Sequence, residues 1–385
     1  PPEPDVPESA LVTFQVVNGT WADCSSADQT VEIALTDGGT LSAAQVNDLS
    51  VAGTANCYVV SAPGTYVFNA RVRGNGAGEG VGFEPAIEMA DGMTADWLWT
   101  DSEGLVSGVA LDTTSGDIFL TVGEGRGNAL VALMQDGKVV WSWHVWVTDA
   151  PQTMTYGNGT VFMDRNLGAA GTTAGGTDAY GMYYQWGRKD PFYGGEKTET
   201  SANAFLEAKN GTVVNPAYPA LDWAFSKSAT TTEGAAANPM TFYNDKVGTG
   251  YNWLASPNAT LWGEAKTLND PCPPGYRVPG TGAWEDLISG RQYIDGVSVW
   301  DGTNYGMTYT HGGQTAWYPA QGYRNYSSGA IVGLRSSTGA YWSAETSSVK
   351  SYYLFFRSKL SSSGSINNEL DMNRSYGYTV RCCKE

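Results

Sequence analysis

From Leu11 onward, short runs of alternating apolar and polar residues are broken by turn residues, the period-two signature of half-buried strands. The runs are Leu11–Val17, Val31–Leu35, Cys57–Val60, Thr65–Val72, Ile118–Val122, Asn128–Met134 and Lys138–Val147. Asn18-Gly19, Asp37-Gly38, Pro63-Gly64 and Asp136-Gly137 punctuate them, supplying the backbone freedom or the fixed φ that tight turns need. In the last run Val140, Ser142, His144 and Trp146 fall on one face, and Trp141, Trp143, Val145 and Val147 on the other. Short strands at this spacing predict an immunoglobulin-like β-sandwich over residues 11–150. Thr148–Gln152 ends the pattern and marks the best domain boundary.

Residues 151–385 mix strand-like runs with long irregular stretches. Between Thr198 and Asn269 the chain repeats Asn, Ala, Thr and Pro around Trp223, Trp253 and Trp262. Connections of that length are uncommon in compact domains unless they do something. One helix is predicted, starting near Thr281. Thr281 can cap it, Glu285 and Asp286 suit its first turn, and Trp284, Leu287 and Ile288 line one face. Gly290 is placed to stop it.

Composition adds little to this picture, and charge narrows it. At 385 residues the chain has room for two or three cores, and its many Gly, Trp and Tyr residues suit a loop-rich β protein. Lys+Arg is 22 against Asp+Glu 39, so the net charge is −17. Such a surface repels phosphate backbones, and no nucleic-acid partner is expected. No run of 18 apolar residues exists that could span a membrane as a helix. Residues 1–10, opening Pro1-Pro-Glu-Pro-Asp-Val-Pro7, form an acidic Pro-rich tether. Two readings fit it: a plain disordered terminus, or a linker behind an upstream export or lipid-anchor signal. Membrane attachment is expected only through such an anchor upstream of residue 1.

Several stations in the second half stand in order. Thr160–Ala169 contains an Asn-Leu-Gly corner, and Tyr180–Phe192 is an aromatic segment around Trp186. Asp270-Pro-Cys-Pro-Pro-Gly-Tyr-Arg-Val-Pro279 precedes the Trp284 helix, Gly339–Glu345 holds Tyr-Trp-Ser, and Gly377–Cys382 closes with Val-Arg-Cys. Together these resemble the Fibrobacter major paralogous domain, a C-type-lectin-like fold related to formylglycine-generating enzymes. The likeness covers most of residues 155–385. The first half, through Ala55–Tyr66 and Trp141–Asp149, resembles the β-sandwich of Bacteroides fimbrillin-like surface proteins. The resemblance implies a mainly β protein whose sandwich is followed by an α+β lectin-like domain at 151–385. It also implies an extracellular, cell-surface place as a fimbrial or adhesin-like subunit, and a chain with no spare strand past Arg381 would suit a tip.

In that family type the Cys-Pro segment and the closing strand lie near each other, which implies a Cys272–Cys382 disulfide; two buried free thiols are the alternative. Cys382 and Cys383 point to opposite faces of a strand, so only one should reach Cys272. Cys24 and Cys57 fit ordinary burial better than a bond. The absence of a CxxC pair or Cys/His cluster makes zinc improbable. Copper–cysteine chemistry of the related enzymes is not expected, because the second half has no cysteine beyond Cys272, Cys382 and Cys383. No cofactor is implied, and calcium has weak support. Its usual lectin tripeptides are missing, with Glu84-Pro-Ala86 lacking the amide and Tyr251-Asn-Trp253 the acid. The remaining candidates are Glu369, Asp371 and Asn373, and Asp295 with Asp301, all in oxygen-rich sequence.

Aromatic residues are better recognition candidates. Trp262, Trp317, Tyr318, Tyr323 and Tyr326 lie in Gly- and Asn-rich sequence, and Arg324 and Asn325 offer polar neighbours. Flat rings with polar rims suit sugar stacking or a protein partner; core packing is the alternative for each. Trp186, Trp284 and Trp342 belong in the core, and His144 reads as a packed residue. His311 falls in a turn, no Gly-x-Ser-x-Gly or His-Glu-x-x-His is present, and Gly74–Gly80 lacks the Lys of a phosphate loop. The expectation is a non-catalytic adhesin or fimbrial subunit whose partners are other subunits or surface glycans and proteins. A polysaccharide-binding accessory protein or enzyme of glycan use is the alternative.

Overall fold

The computed structural model describes residues 46–75, 86–194, 212–247, 250–333, 338–358 and 365–385. The tether at 1–10, the runs Leu11–Val17 and Val31–Leu35, and Cys24 lie outside the described residues. The fold is mainly β.

Through the first half run β1 (Val46–Asp48), β2 (Cys57–Val60), β3 (Gly64–Asn69), β4 (Met93–Thr100), β5 (Val106–Asp112), β6 (Asp117–Val122), β7 (Gly127–Gln135) and β8 (Lys138–Val147). They build one sheet in the order β1-β3-β6-β5 and a second in the order β4-β7-β8-β2. Val213–Val214, from the second half, pairs antiparallel with β4 and extends that second sheet. Phe68, Ile118, Leu120, Val131, Trp143 and Val145 join the two sheets in one core.

The β4-β7-β8-β2 sheet is buried on both faces. Along β7, Ala129, Val131 and Leu133 enter the sandwich core, while Leu130, Ala132 and Met134 enter a second core with Trp186, Trp253 and Trp262. Asn128–Met134, expected among the alternating runs, is instead apolar throughout after Asn128, because the strand is buried on both sides. The expected alternation of β8 holds for Ser142, His144 and Trp146 against Trp141, Trp143, Val145 and Val147. Val140 is the exception. A register shift pairs Leu133 with Trp141 but Met134 with Val139, and Val140 packs with the sandwich core. The turn after β8 is where the boundary at 148–152 is expected, yet one core crosses it, and the described residues from Val46 to Glu385 belong to a single compact unit.

A polar seam runs along that crossing. Asn128 Nδ2 donates to Asp101 Oδ2 at 2.7 Å and to the Gly168 carbonyl at 2.9 Å. Its Oδ1 therefore faces His144 Nε2 at 2.8 Å, which places the imidazole proton on Nε2 and leaves Nδ1 to accept from Tyr184 Oη at 3.4 Å. Burial holds His144 neutral, with its pKa lowered to about 3. Nearby, Lys189 Nζ donates to the Ser142 carbonyl and hydroxyl and to Asp190 Oδ1 at 2.9, 2.6 and 2.5 Å.

The second half is assembled from short strands. Its first two strands, Thr153–Thr155 and Val161–Met163, sit in one sheet with Tyr276–Arg277 and the terminal Cys383–Lys384. A second sheet joins Tyr184–Gln185, Gly377–Tyr378, Tyr323–Arg324 and Ile331–Val332. The predicted helix is a 3-10 helix over Thr281–Leu287, capped by Gly280 and not by Thr281. The Thr281 hydroxyl instead donates to Glu345 Oε2 at 2.6 Å. Trp284 and Leu287 are buried as expected, Ala283 is buried with them, and Ile288 has already left the helix for a strand. The stretch expected to be irregular contains a short α-helix, Thr232–Ala237, whose cap Thr231 accepts from the Gly234 N–H at 3.0 Å.

What orders so many loops is a set of buried guanidinium groups that bind backbone carbonyls. Arg374 donates to the carbonyls of Asn258, Ser348 and Lys350 and stacks 4.4 Å over Trp186. Arg381 lies 3.8 Å over Tyr318 and binds the Trp317 carbonyl. Arg188 reaches the carbonyls of Thr241 and Pro239 beneath the rings of Phe192, Tyr243 and Trp253. A planar fork satisfies several carbonyls at once, and the ring faces take up part of its charge.

Candidate functional site

The described residues gather one cluster of tyrosines that runs from the surface into the core. Tyr251 lies on the strand Gly250–Asn252, Tyr323 on Tyr323–Arg324, Tyr353 on Lys350–Arg357, and Tyr378 on Gly377–Tyr378. Tyr326 and Tyr376 sit on the turns next to two of these strands. Tyr251 and Tyr326 have ring centroids 4.5 Å apart, Tyr326 and Tyr376 4.9 Å, and Tyr323 and Tyr376 5.6 Å. Deeper, Tyr378 lies 4.8 Å from Tyr353 and 4.3 Å from Trp342. Tyr251, Tyr323, Tyr326 and Tyr376 are half-buried, whereas Tyr353 and Tyr378 are buried.

Local chemistry fixes this arrangement. Arg324 points inward and is fully buried, donating from Nη1 to the Gly329 carbonyl at 2.6 Å and from Nη2 to the Tyr193 carbonyl at 2.6 Å. The 325–330 turn above it is closed by Asn325, whose Oδ1 accepts from the Ser327 N–H and hydroxyl at 2.8 and 2.7 Å. That turn carries Tyr326. Gly377 pairs with Arg324 in the sheet, and a Cβ there would come within 2.9 Å of the Arg324 Cβ, so only glycine lets the strands approach.

Burial first, then the neighbouring hydroxyls of Tyr323, Tyr326 and Tyr353, push the Tyr376 phenol up to about 12. Burial likewise raises Tyr353 to about 12, and Tyr378 is raised well above the ordinary phenol value. These phenols stay protonated at neutral pH and offer neutral O–H groups beside apolar ring faces. Such a surface can stack on a sugar or apolar side chain and bind its polar edge, but supplies no charged acid or base.

Of the aromatic candidates, Tyr323 and Tyr326 belong to this cluster, with Asn325 as the clasp of its turn. The others are corrected. Trp262 is 1% exposed, packs on Trp186 and donates to the Asn269 carbonyl at 2.8 Å. Trp317 is buried, with its ring covering Gly306 of the paired strand. Tyr318 is fully buried between the Arg381 guanidinium and Tyr156, whose hydroxyl lies 2.6 Å from its own. Arg324 supports the site from beneath and presents nothing to solvent. Glycine and asparagine around these residues suggested exposed loops, but Gln314–Pro319 is a strand whose last four residues are buried. Sequence reasoning does not find Tyr251 and Tyr376 as members, because they lie 75 and 50 residues from Tyr326, too far for any local pattern to link them.

The calcium candidates are also corrected. The Asp371 carboxylate is engaged by Lys350 Nζ at 3.2 Å and by the Ser347 hydroxyl at 2.8 Å. Glu369 is exposed, and Asn373 lies beside Gly250 under the cluster. Asp301 accepts from the Thr303 and Asn304 backbone and the Asn304 amide, which pulls its carboxyl below the usual range. Among the described residues no group of three His, Cys, Asp or Glu side chains could hold a metal.

A disulfide joins Cys272 to Cys382, with Cα atoms 6.0 Å apart. Cys57 and Cys383 are buried free thiols; burial raises both, Cys383 to about 11. Comparison with models of known families, with curated proteins and with solved structures finds no match.

Proposed function

We propose that the protein is a non-catalytic, extracellular recognition protein, an adhesin or fimbrial subunit, that contacts its partner through Tyr251, Tyr323, Tyr326 and Tyr376. The observation that carries this reading is the half-buried ring cluster itself, seated on a buried guanidinium. Ring faces held rigid by neighbours lose little entropy when a ligand docks, which is what a contact surface needs. The Cys272–Cys382 disulfide suits an oxidising compartment, and a net charge of −17 suits solubility there. The sequence resemblances to fimbrillin-like sandwiches and lectin-like domains point the same way. Partners of matching chemistry are surface glycans and proteins presenting apolar side chains with polar edges.

A glycan array, run beside a pull-down from cell-surface fractions, tests this reading. Retention by the native chain that is lost in a Tyr251→Ala/Tyr326→Ala variant supports it. Turnover of a polysaccharide by the purified chain would replace it with an enzyme.

A further inference from the structure

The Cys-Pro-Pro-Gly-Tyr-Arg-Val-Pro corner has its hub outside that motif, at Lys266. The Lys266 ammonium is buried and surrounded by oxygens: the Cys272 carbonyl at 2.7 Å, the Pro273 carbonyl at 3.1 Å, Asp270 Oδ1 at 3.3 Å and the Tyr276 carbonyl. Asp270, also fully buried, accepts from the Cys272 N–H through Oδ1 at 2.8 Å and from the Val278 N–H through Oδ2 at 2.9 Å. Carboxylate and ammonium together close the loop from both ends. Pro271, Pro273 and Pro274 carry no N–H to compete for these acceptors. The loop also docks on the sandwich, where Asn56 Nδ2 donates to the Leu268 and Asp270 carbonyls at 2.7 and 2.9 Å.

Carbonyls of consecutive residues and one carboxylate converging on a point charge are the ligand set of a cation-binding loop. Here the charge arrives on a side chain. We propose that Lys266 is a tethered replacement for a bound cation, and that the loop around Lys266 is a cation site which a free monovalent ion of ammonium or potassium size fills when the lysine is removed. A single carboxylate leaves the vacated cage one negative charge, which one monovalent ion neutralises. Three of the four oxygens, those of Cys272, Pro273 and Asp270, lie 2.7–3.3 Å from the nitrogen, distances that fit an N–H donor or a large monovalent ion. Calcium would need the oxygens drawn in to about 2.3–2.6 Å.

The test is Lys266→Ala in the full chain, melted at constant ionic strength in choline, potassium and ammonium chloride. Alanine leaves room for an ion, whereas a Lys266→Met control fills that room with a neutral side chain. In choline both variants should melt roughly 5–15 °C below the native chain, since a buried carboxylate has lost its partner. Potassium or ammonium should restore at least half of that loss for Lys266→Ala, saturably. The native chain and Lys266→Met should not respond. Equal melting of Lys266→Ala in all three salts would overturn the proposal, as would rescue by calcium alone. A Lys266→Ala chain that folds only with potassium or ammonium supports it, and one that folds in no salt counts against it.

Discussion

Arg324 Nη1 donates to the Gly329 carbonyl at 2.6 Å, so the turn that carries Tyr326 rests on a fully buried guanidinium. Lysine in its place keeps the charge but loses the fork to the carbonyls of Gly329 and Tyr193 and the stacking on Tyr193. Arg324→Lys should lower stability by about 2–4 kcal/mol in urea unfolding. It should also weaken partner binding, because Tyr323 and Tyr326 lose their support. Unchanged stability would mean the guanidinium is not what holds the turn.

The Cys272–Cys382 bridge closes a loop of sequence separation 110. Its replacement by two alanines should cost about 4–5 kcal/mol in the chain-entropy account. Peptide mapping without reduction should recover Cys272 linked to Cys382. Cys57 and Cys383, both buried and raised in pKa, should alkylate only after unfolding.

His144 sets an acid limit. Its folded pKa is lowered from 6.5 to about 3 by burial, so the unfolded chain takes up a proton that the folded chain refuses. Its contribution is full above pH 6.5 and is lost as pH falls towards 3, a loss of roughly 5 kcal/mol at most. Asp101, at the other end of the same hydrogen-bonded chain and raised to about 6 by burial, acts in the opposite sense. Its shift is the smaller of the two, so it offsets only part of the loss. Comparison with His144→Gln isolates the histidine: the native chain should lose stability between pH 6.5 and 3 more steeply than the variant. Parallel curves would refute the assignment.

The strands of the outer sheet of the sandwich were legible because their side chains alternate about a single core, as in β6. The shared sheet was less so. β7 shows only apolarity, and a strand buried on both faces cannot announce which second layer covers it. In the second half, the core roles of Trp186, Trp284 and Trp342 and the Cys272–Cys382 pairing were legible through the family resemblance. Trp317 and Tyr318 have the sequence neighbours of an exposed loop, because part of their burial comes from partners such as Arg381 and Tyr156 that lie far away along the chain. For the same reason Tyr323 and Tyr326 could be picked out but Tyr251 and Tyr376 could not.

The most direct test of the central claim is retention of the chain on immobilised surface glycans and cell-surface protein fractions, native against Tyr251→Ala/Tyr326→Ala. Both rings are half-buried at the outer end of the cluster, so the variant should fold normally and lose only about 1–2 kcal/mol of stability. The account predicts that the native chain is retained and that the variant binds at least tenfold more weakly with its fold intact. Equal retention of the two, or no retention of the native chain on any surface, would contradict it.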